Sequence, residues 1–589
     1  MNTEKTSDAG NEHFSDYIEH NNYYVDKTSF LSPLFYDGRV SMFTRPRRFG
    51  KTLTLSMIHE FFNLDFKNPG DTSRQERLFK GLDVMKDTEF VQKYMGQFPV
   101  VFMSLKSIQG LDFEDALAKF ASVMALKARE YSFLLQSPKL HEYEKRELEL
   151  VMDETALLEP KHHYKILRFP WFISRVLRKH FGRRVILLID EFDMPLIYAS
   201  MNGYHDEMVM PFTHFYDILK AEGGDDPIYK IILTGRFFVE KNSCLISGMN
   251  FIPGTVLRYS PHFWSLFGFT EDETRRYLDE FNISEYYDLV KENYKGYHFY
   301  YDKEIYNPWD ICNFVNDAIR FKREGKLKDL RPESYWVGNS CEGDGDIKKY
   351  VSCLCRNDTR TLQDLMDGKE VTIKLNASQS LDCCLDENKL TDVWTVLVFS
   401  GYLTAVERTH WDNYKIRIPN KELRKCFKDI LKEVFYETLT KDDLNKKILR
   451  YLSSGEDIEA LRLIAKMLRF FVSTNERASN DSSEKFYDEF TTAFLSSFGN
   501  ELDDLKVEHE DDLTNISFSY EYGEQALIIG LKAASNFEEA NNYTNTALER
   551  ISENGRAREF IDEMKIPNVT VVGIAFYERS CLVMTRKLK

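Results

Sequence analysis

The segment Arg45-Pro46-Arg47-Arg48-Phe49-Gly50-Lys51-Thr52 constrains this chain more than any other stretch. A short apolar run, Val40 to Phe43, precedes it, and a helix-like run, Leu53 to Phe62, follows. A strand, a turn and a helix in that order are the setting of a phosphate-binding loop. Gly50 lets backbone N–H groups approach a phosphate, Lys51 reaches the β- and γ-phosphates, and the Thr52 hydroxyl can hold Mg²⁺. The helix that opens here adds the positive end of its dipole. Arg48, Phe49, Gly50, Lys51, Thr52 and Leu53 are therefore the candidate cofactor-binding residues. One position departs from the pattern G-x-x-x-x-G-K-[ST], because Arg45 stands where its first Gly is expected.

A second segment supplies the carboxylates such a loop needs. Val185-Ile186-Leu187-Leu188-Ile189 reads as a strand buried on both faces, as in a parallel sheet. Asp190-Glu191-Phe192-Asp193 follows at its C-terminal end, where α/β sheets place ligands. Asp190 suits a Mg²⁺ role beside Thr52, and Glu191 suits a general base acting on water. The plain alternative is a buried strand that ends in a solvated acidic turn. A third strand candidate, Tyr229 to Leu233, ends in Thr234-Gly235-Arg236. Thr234 is the candidate sensor of the γ-phosphate; Arg236 either touches phosphate or faces solvent. The candidate catalytic set is thus Glu191, Lys51 and Thr234, and the candidate metal set is Thr52 and Asp190.

At 589 residues the chain exceeds one core, and 43% hydrophobic and 14% aromatic residues supply several. Its net charge of −16 argues against a broadly basic nucleic-acid surface, though not against a local basic groove. The nine cysteines lack the C-x-x-C spacing of zinc sites and read as free thiols of a reducing compartment. Met1 to His20 is polar, without the apolar stretch of a signal peptide, and reads as a disordered tail. No run of 18 apolar residues predicts a membrane span, so a cytoplasmic protein without a membrane partner is expected.

Strands alternating with helices over residues 21–260 predict a parallel sheet covered on both faces. Helices are expected at Phe113 to Gln136, His141 to Leu158 and about Pro170 to His180. Residues 261–425 read as a mostly helical, lid-like or winged-helix-like region. Thr270 and Glu273 fit a capping box, and a small hairpin is expected around Gly401 to Ala405 and Tyr414 to Asn420. Tyr294 to Phe299 and Tyr306 to Trp309 read as packed aromatic turns. Residues 426–589 return to α/β, with strands at Leu513 to Tyr520, Gln525 to Leu531 and Val569 to Phe576 and a helix at Asn536 to Ser552. The fold class expected is multidomain α/β.

With these blocks in order, the chain resembles the AAA-ATPase-like proteins fused to a PD-(D/E)XK nuclease-type domain. Tyr23 to Thr28 resembles the family's opening, and Arg45 to Thr52 its unusual phosphate loop, so Arg45 fits. Leu188 to Asp193 resembles its Walker B strand. Phe267 to Glu273, Tyr306 to Trp309, Tyr335-Trp336-Val337, Ser400 to Leu403 and Ile418 to Glu422 resemble its later blocks. The resemblance implies ATP and Mg²⁺ as cofactors, ATP hydrolysis, and a restriction-endonuclease-like C-terminal fold. It also implies DNA as the candidate partner of that domain, and a homo-oligomer as the candidate assembly.

The likeness breaks at the nuclease site. That site needs an Asp on one strand and Glu-x-Lys on the next, whose carboxylates hold the metal. Here Gly530 replaces the Glu, Lys532 keeps the Lys, Asn515 stands near the Asp position, and Glu484 matches an early helical Glu. A catalytically dead domain is expected, kept as a scaffold or as a nucleic-acid-binding surface with Lys532, Arg550 and Arg556 near one patch. Two alternatives remain open: an active ATP-dependent DNA nuclease that recruits Asp512, and a nucleotide-gated interaction protein without turnover.

Overall fold

The computed structural model describes residues 5–217, 225–237, 251–254, 257, 262–300, 303–336, 347–375, 390–441, 444–456, 458–464, 502–510, 513–521, 523–553, 555–577 and 580–588. The chain divides into two compact units, Met1–Gly345 with Glu370–Leu423, and Asp346–Lys369 with Arg424–Lys589.

The first unit is built on five parallel strands: β1 (Val40–Thr44), β2 (Val100–Ser104), β3 (Val185–Asp190), β4 (Ile228–Gly235) and β5 (Phe251–Gly254). Their spatial order is β2-β3-β4-β1-β5. Every residue of β1 and β3 is buried, which is why both read as unbroken apolar runs. Because β4 lies between β1 and β3, Thr234 pairs with Phe43 on one side and with Asp190 on the other. Three sequence-distant segments thus end at the same edge of the sheet. This α/β arrangement is compatible with a P-loop-type nucleotide-binding domain.

Two expectations give way here. The polar N-terminal segment, expected to be disordered, is folded from residue 5, with a helix over Phe14–Glu19. Phe14 and Tyr17 are buried, and the Phe14 N–H donates to Ser56 Oγ at 2.9 Å. Two well-placed aromatic residues outweigh a polar composition. The helix expected from Pro170 begins at His163 and carries Pro170 inside it. Burial of Ile166, Phe169, Pro170 and Ile173 offsets the backbone bond that proline cannot donate.

The same unit continues through residues 262–336 and 370–423. Tyr294 to Phe299, expected as a turn, supplies most of β6 (Lys295–Tyr300), which pairs with β7 (Lys303–Tyr306). A three-stranded sheet of order β8-β10-β9 follows, from Val371–Lys374, Asn413–Arg417 and Thr404–His410. The Thr270–Glu273 capping box forms as expected.

Among the described residues, the second unit holds five strands in sequential order: β11 (Asp503–Glu510), β12 (Leu513–Tyr520), β13 (Gln525–Ala533), β14 (Asn568–Tyr577) and β15 (Ser580–Lys587). Only β13 and β14 run parallel, joined through the helix Phe537–Ser552. Glycine sets how closely that helix approaches. A Cβ on Gly573 would lie 2.8 Å from the Thr544 carbonyl oxygen, whereas one on Gly530 would meet the movable Ile551 Cδ1 at 2.5 Å. Gly573→Ala is therefore expected to cost about 1–3 kcal/mol as overpacking against backbone. Gly530→Ala costs less, since the end of a side chain can turn aside. Thermal unfolding midpoints of the two variants check the ranking.

Candidate active site

The loop after β1 bends where Gly50 takes φ +82° and opens the helix Lys51–Phe62. No atom lies within 4 Å of a Cβ built on Gly50, so open space fronts the helix N-terminus. Behind it the loop is held by distant residues. The Gly268 N–H donates to Phe49 O at 3.2 Å, and the Trp336 indole N–H donates to Arg47 O at 3.2 Å. Gly401, at φ +89°, admits Pro46, whose Cβ would be 2.7 Å from any Cβ there. Arg45 explains its own departure from the glycine pattern. Its guanidinium lies 4.3 Å from the Phe299 ring and 5.7 Å from that of Phe267, and it donates to Thr44 O at 2.8 Å. Burial pulls Arg45 down to about 9. Loop order here comes from packing.

The predicted catalytic and metal residues converge. Thr52 Oγ1 donates to Asp190 Oδ2 at 2.6 Å, and Thr234 Oγ1 donates to Asp190 Oδ1 at 2.5 Å. Lys51 Nζ donates to Arg45 O and Pro46 O, each at 3.2 Å, and lies 3.5 Å from Glu191 Oε1. Glu191 itself adopts φ +49°, an unusual conformation for a residue with a side chain. Its Oε2 is buried with no hydrogen-bond donor on it and stands 3.9 Å from Arg236 Nε. Burial and the neighbouring Glu191 charge raise Asp190 above the usual carboxylate range. Burial also pushes Glu191 up, but Lys51, Arg236 and Arg47 outweigh it and hold Glu191 below its ordinary value.

Lys51, Thr52, Glu191 and Arg236 open on a cleft of about 400 Å³, with Asp190 and Thr234 buried behind them. Arg48, Phe49, Gly50, Lys51, Thr52 and Leu53, the six predicted cofactor-binding residues, all border it. The Phe49 ring turns to Tyr297 and Phe299, at 5.0 and 5.3 Å, so its backbone faces the site. The Arg48 guanidinium stacks 3.9 Å from the Trp309 ring. The far wall comes from the N-terminal segment Asp8 to Glu12 and from Phe269, Pro308 and Trp309. The sequence reading missed these wall residues as site residues, along with Trp336 and Asp193. Their only signal was an aromatic or acidic block whose partner lay far along the chain, 44 residues away for Asp193 and 289 for Trp336.

The second candidate site lies wholly in the second unit. Asn515 pairs directly with Gly530, so the two share a face with Lys532. Asn515 Oδ1 is buried without a hydrogen-bond donor, and Lys532 Nζ lies 5.5 Å from the Tyr543 ring. Glu484 and Asp512 lie outside the described residues. The expected basic patch loses one member. Arg556 is buried, donates to Ser517 Oγ and Asp504 O at 3.2 and 2.9 Å, and pairs with Glu559 at 2.6 Å. Arg550 is exposed. Among the described residues, no group of three or more His, Cys, Asp or Glu is placed to hold a metal. Among them, too, no helix is long and apolar enough to cross a membrane.

The parallel sheet, the helix-opening loop and the carboxylates beside it are compatible with an α/β domain of P-loop type. Residues 8–244, less than half of the chain, match the family described as AAA-ATPase_like, Predicted AAA-ATPase, and are similar to it over that stretch. The match ends there and does not reach the second unit. The chain is also 24% identical, over 417 residues, to the uncharacterized protein in the vnfD 5′ region of Azotobacter chroococcum mcd 1. That alignment covers 69% of this chain and 66% of the other, so the chain spans just under two thirds of its length. No solved structure matches the chain.

Proposed function

We propose that the cleft binds ATP with Mg²⁺ and hydrolyses the γ-phosphate. The observation that carries this reading is the convergence of Lys51, Thr52, Asp190, Glu191 and Thr234 on one helix N-terminus. Lys51, held by two carbonyls and one carboxylate, is ready to exchange them for β- and γ-phosphate oxygens. The buried, undonated Glu191 Oε2 can accept a proton from an attacking water. Thr234 can turn its hydroxyl from Asp190 toward the γ-phosphate.

Thr52 and Asp190 would hold Mg²⁺. One hydroxyl and one carboxylate suit this ion, which keeps waters and takes phosphate oxygens as its remaining ligands. Bound there, it would neutralise charge developing on the phosphates. The chain's own residues do the rest: they orient the phosphates and receive the proton.

For the second unit we propose a scaffold or nucleic-acid-binding role without cleavage. Gly530 brings no carboxylate, Asn515 is neutral, and Ile551 crowds the Gly530 face. Plasmid DNA incubated with Mg²⁺ and ATP is expected to stay intact; nicking that Lys532→Ala abolishes would favour the nuclease alternative.

Phosphate release from ATP by the intact chain tests the main reading. Turnover is expected with Mg²⁺ and lost with EDTA. Thr234→Ala is expected to lower it about tenfold, a loss of about 1.4 kcal/mol of transition-state stabilisation. ATP binding without turnover in every condition would favour the nucleotide-gated switch.

A further inference from the structure

Asp193 takes no part in the steps above, yet it is fully buried at their edge. Its Oδ2 accepts the backbone N–H groups of both Arg236 and Phe237, each at 2.6 Å. Its Oδ1 is buried without a donor, in space left by Gly235, where a Cβ would stand 2.6 Å away. Two further bonds tie this corner to the site. The Phe192 N–H donates to Thr234 O at 3.0 Å, and the Arg45 N–H, opening the phosphate loop, donates to Gly235 O at 3.0 Å. Together they fix the direction in which the chain leaves β4. Arg236 emerges with Nε 3.9 Å from Glu191 Oε2, donates to Met194 Sδ at 3.1 Å, and borders the cleft.

Resting on the reading of this cleft as an ATP-hydrolysing site, we infer that Asp193 is a positioning residue. It turns the segment after β4 so that Arg236 stands against Glu191, and it acts on the reaction only through that arginine. Arg236, with Lys51, faces the Glu191 carboxylate and aims it. A buried N–H that loses its acceptor is costly, so two on consecutive residues make the turn depend on this one oxygen. Burial and the Glu191 charge push the Asp193 carboxyl up to about 6 despite those two donors. Asp193 is thus held in place for its bonds, at the expense of its charge. An amide can supply the same acceptor.

Three variants test this: Asp193→Asn, Asp193→Ala and Arg236→Ala, with the double variant of the last two. Asp193→Ala is expected to speed hydrogen exchange in peptides spanning residues 234–237 and to lower phosphate release about tenfold or more, within the range of a misaligned general base. ATP affinity stays within about threefold, because Lys51, Thr52 and the N-terminus of their helix keep their places. Asp193→Asn restores slow exchange and most of the rate. The double variant is no slower than Arg236→Ala alone.

An equal loss from Asp193→Ala in the Arg236→Ala background would overturn the inference, as would unchanged exchange at residues 234–237. Where Asp193→Ala does not fold, Gly235→Ala, which presses on the same carboxylate, is read in its place. Absence of turnover in the unaltered chain would sink the hydrolysis reading alone, and the exchange measurement would still decide the role of Asp193.

Discussion

Exchanging Glu191 for glutamine leaves ATP binding nearly unchanged and lowers phosphate release by roughly 10²–10⁴-fold, the usual contribution of a general base. The amide keeps the volume and the polar contact with Lys51, now 3.5 Å from Oε1, but it cannot take a proton. Lys51→Ala separates from it in kind. It removes the cation expected on the β- and γ-phosphates, so binding and turnover fall together. It also strips Glu191 of its nearest positive charge and returns that carboxyl toward higher pKa. Titration with a fluorescent ATP analogue, beside phosphate release, distinguishes the two. Unchanged turnover in Glu191→Gln would remove this residue from the chemistry.

Gly296→Ala is expected to cost about 3 kcal/mol or more, beyond the usual range for overpacking. Gly296 sits at φ +124°, a conformation that side chains rarely adopt, and its Cβ would be 2.1 Å from the Pro419 carbonyl oxygen. Neither the β6 backbone nor the Pro419 backbone can yield easily. Tyr297, the next residue, packs on Phe49 of the phosphate loop at 5.0 Å, so the damage reaches the nucleotide site. Gly325→Ala is the control: its φ is +70°, but nothing lies within 4 Å of its Cβ. Only backbone strain of about 1–2 kcal/mol is expected there. Thermal unfolding with and without ATP measures both effects. Equal midpoints for the two variants would show that the close approach of β6 to Pro419 is not needed.

The pair also shows what a sequence reading weighs badly. Tyr294 to Phe299 looked like a turn because glycine and aromatic residues cluster there. The structure makes the cluster a strand, because Gly296 alone lets β6 pass under the Pro419 carbonyl. The buried acid Asp193 was overlooked for a related reason. Its partners, the N–H groups of Arg236 and Phe237, carry no mark in side-chain sequence.

The sequence by itself determined the local pieces of the site. Val40 to Phe43, Gly50-Lys51-Thr52 and Val185 to Glu191 each declare a strand, loop or carboxylate pair through period, glycine placement and charge. Those signals are local because a backbone turn and a two-sided buried strand demand particular residue types within a few positions. Tertiary structure alone decided how they meet. Inserting β4 between β1 and β3 brings Thr234 onto Asp190, and Asp190 onto Thr52. It also decided that an arginine can replace glycine at position 45, because Phe267 and Phe299, more than two hundred residues on, enclose its cation. Strand order and long-range packing depend on pairwise fit between distant segments, and no window of sequence records that fit.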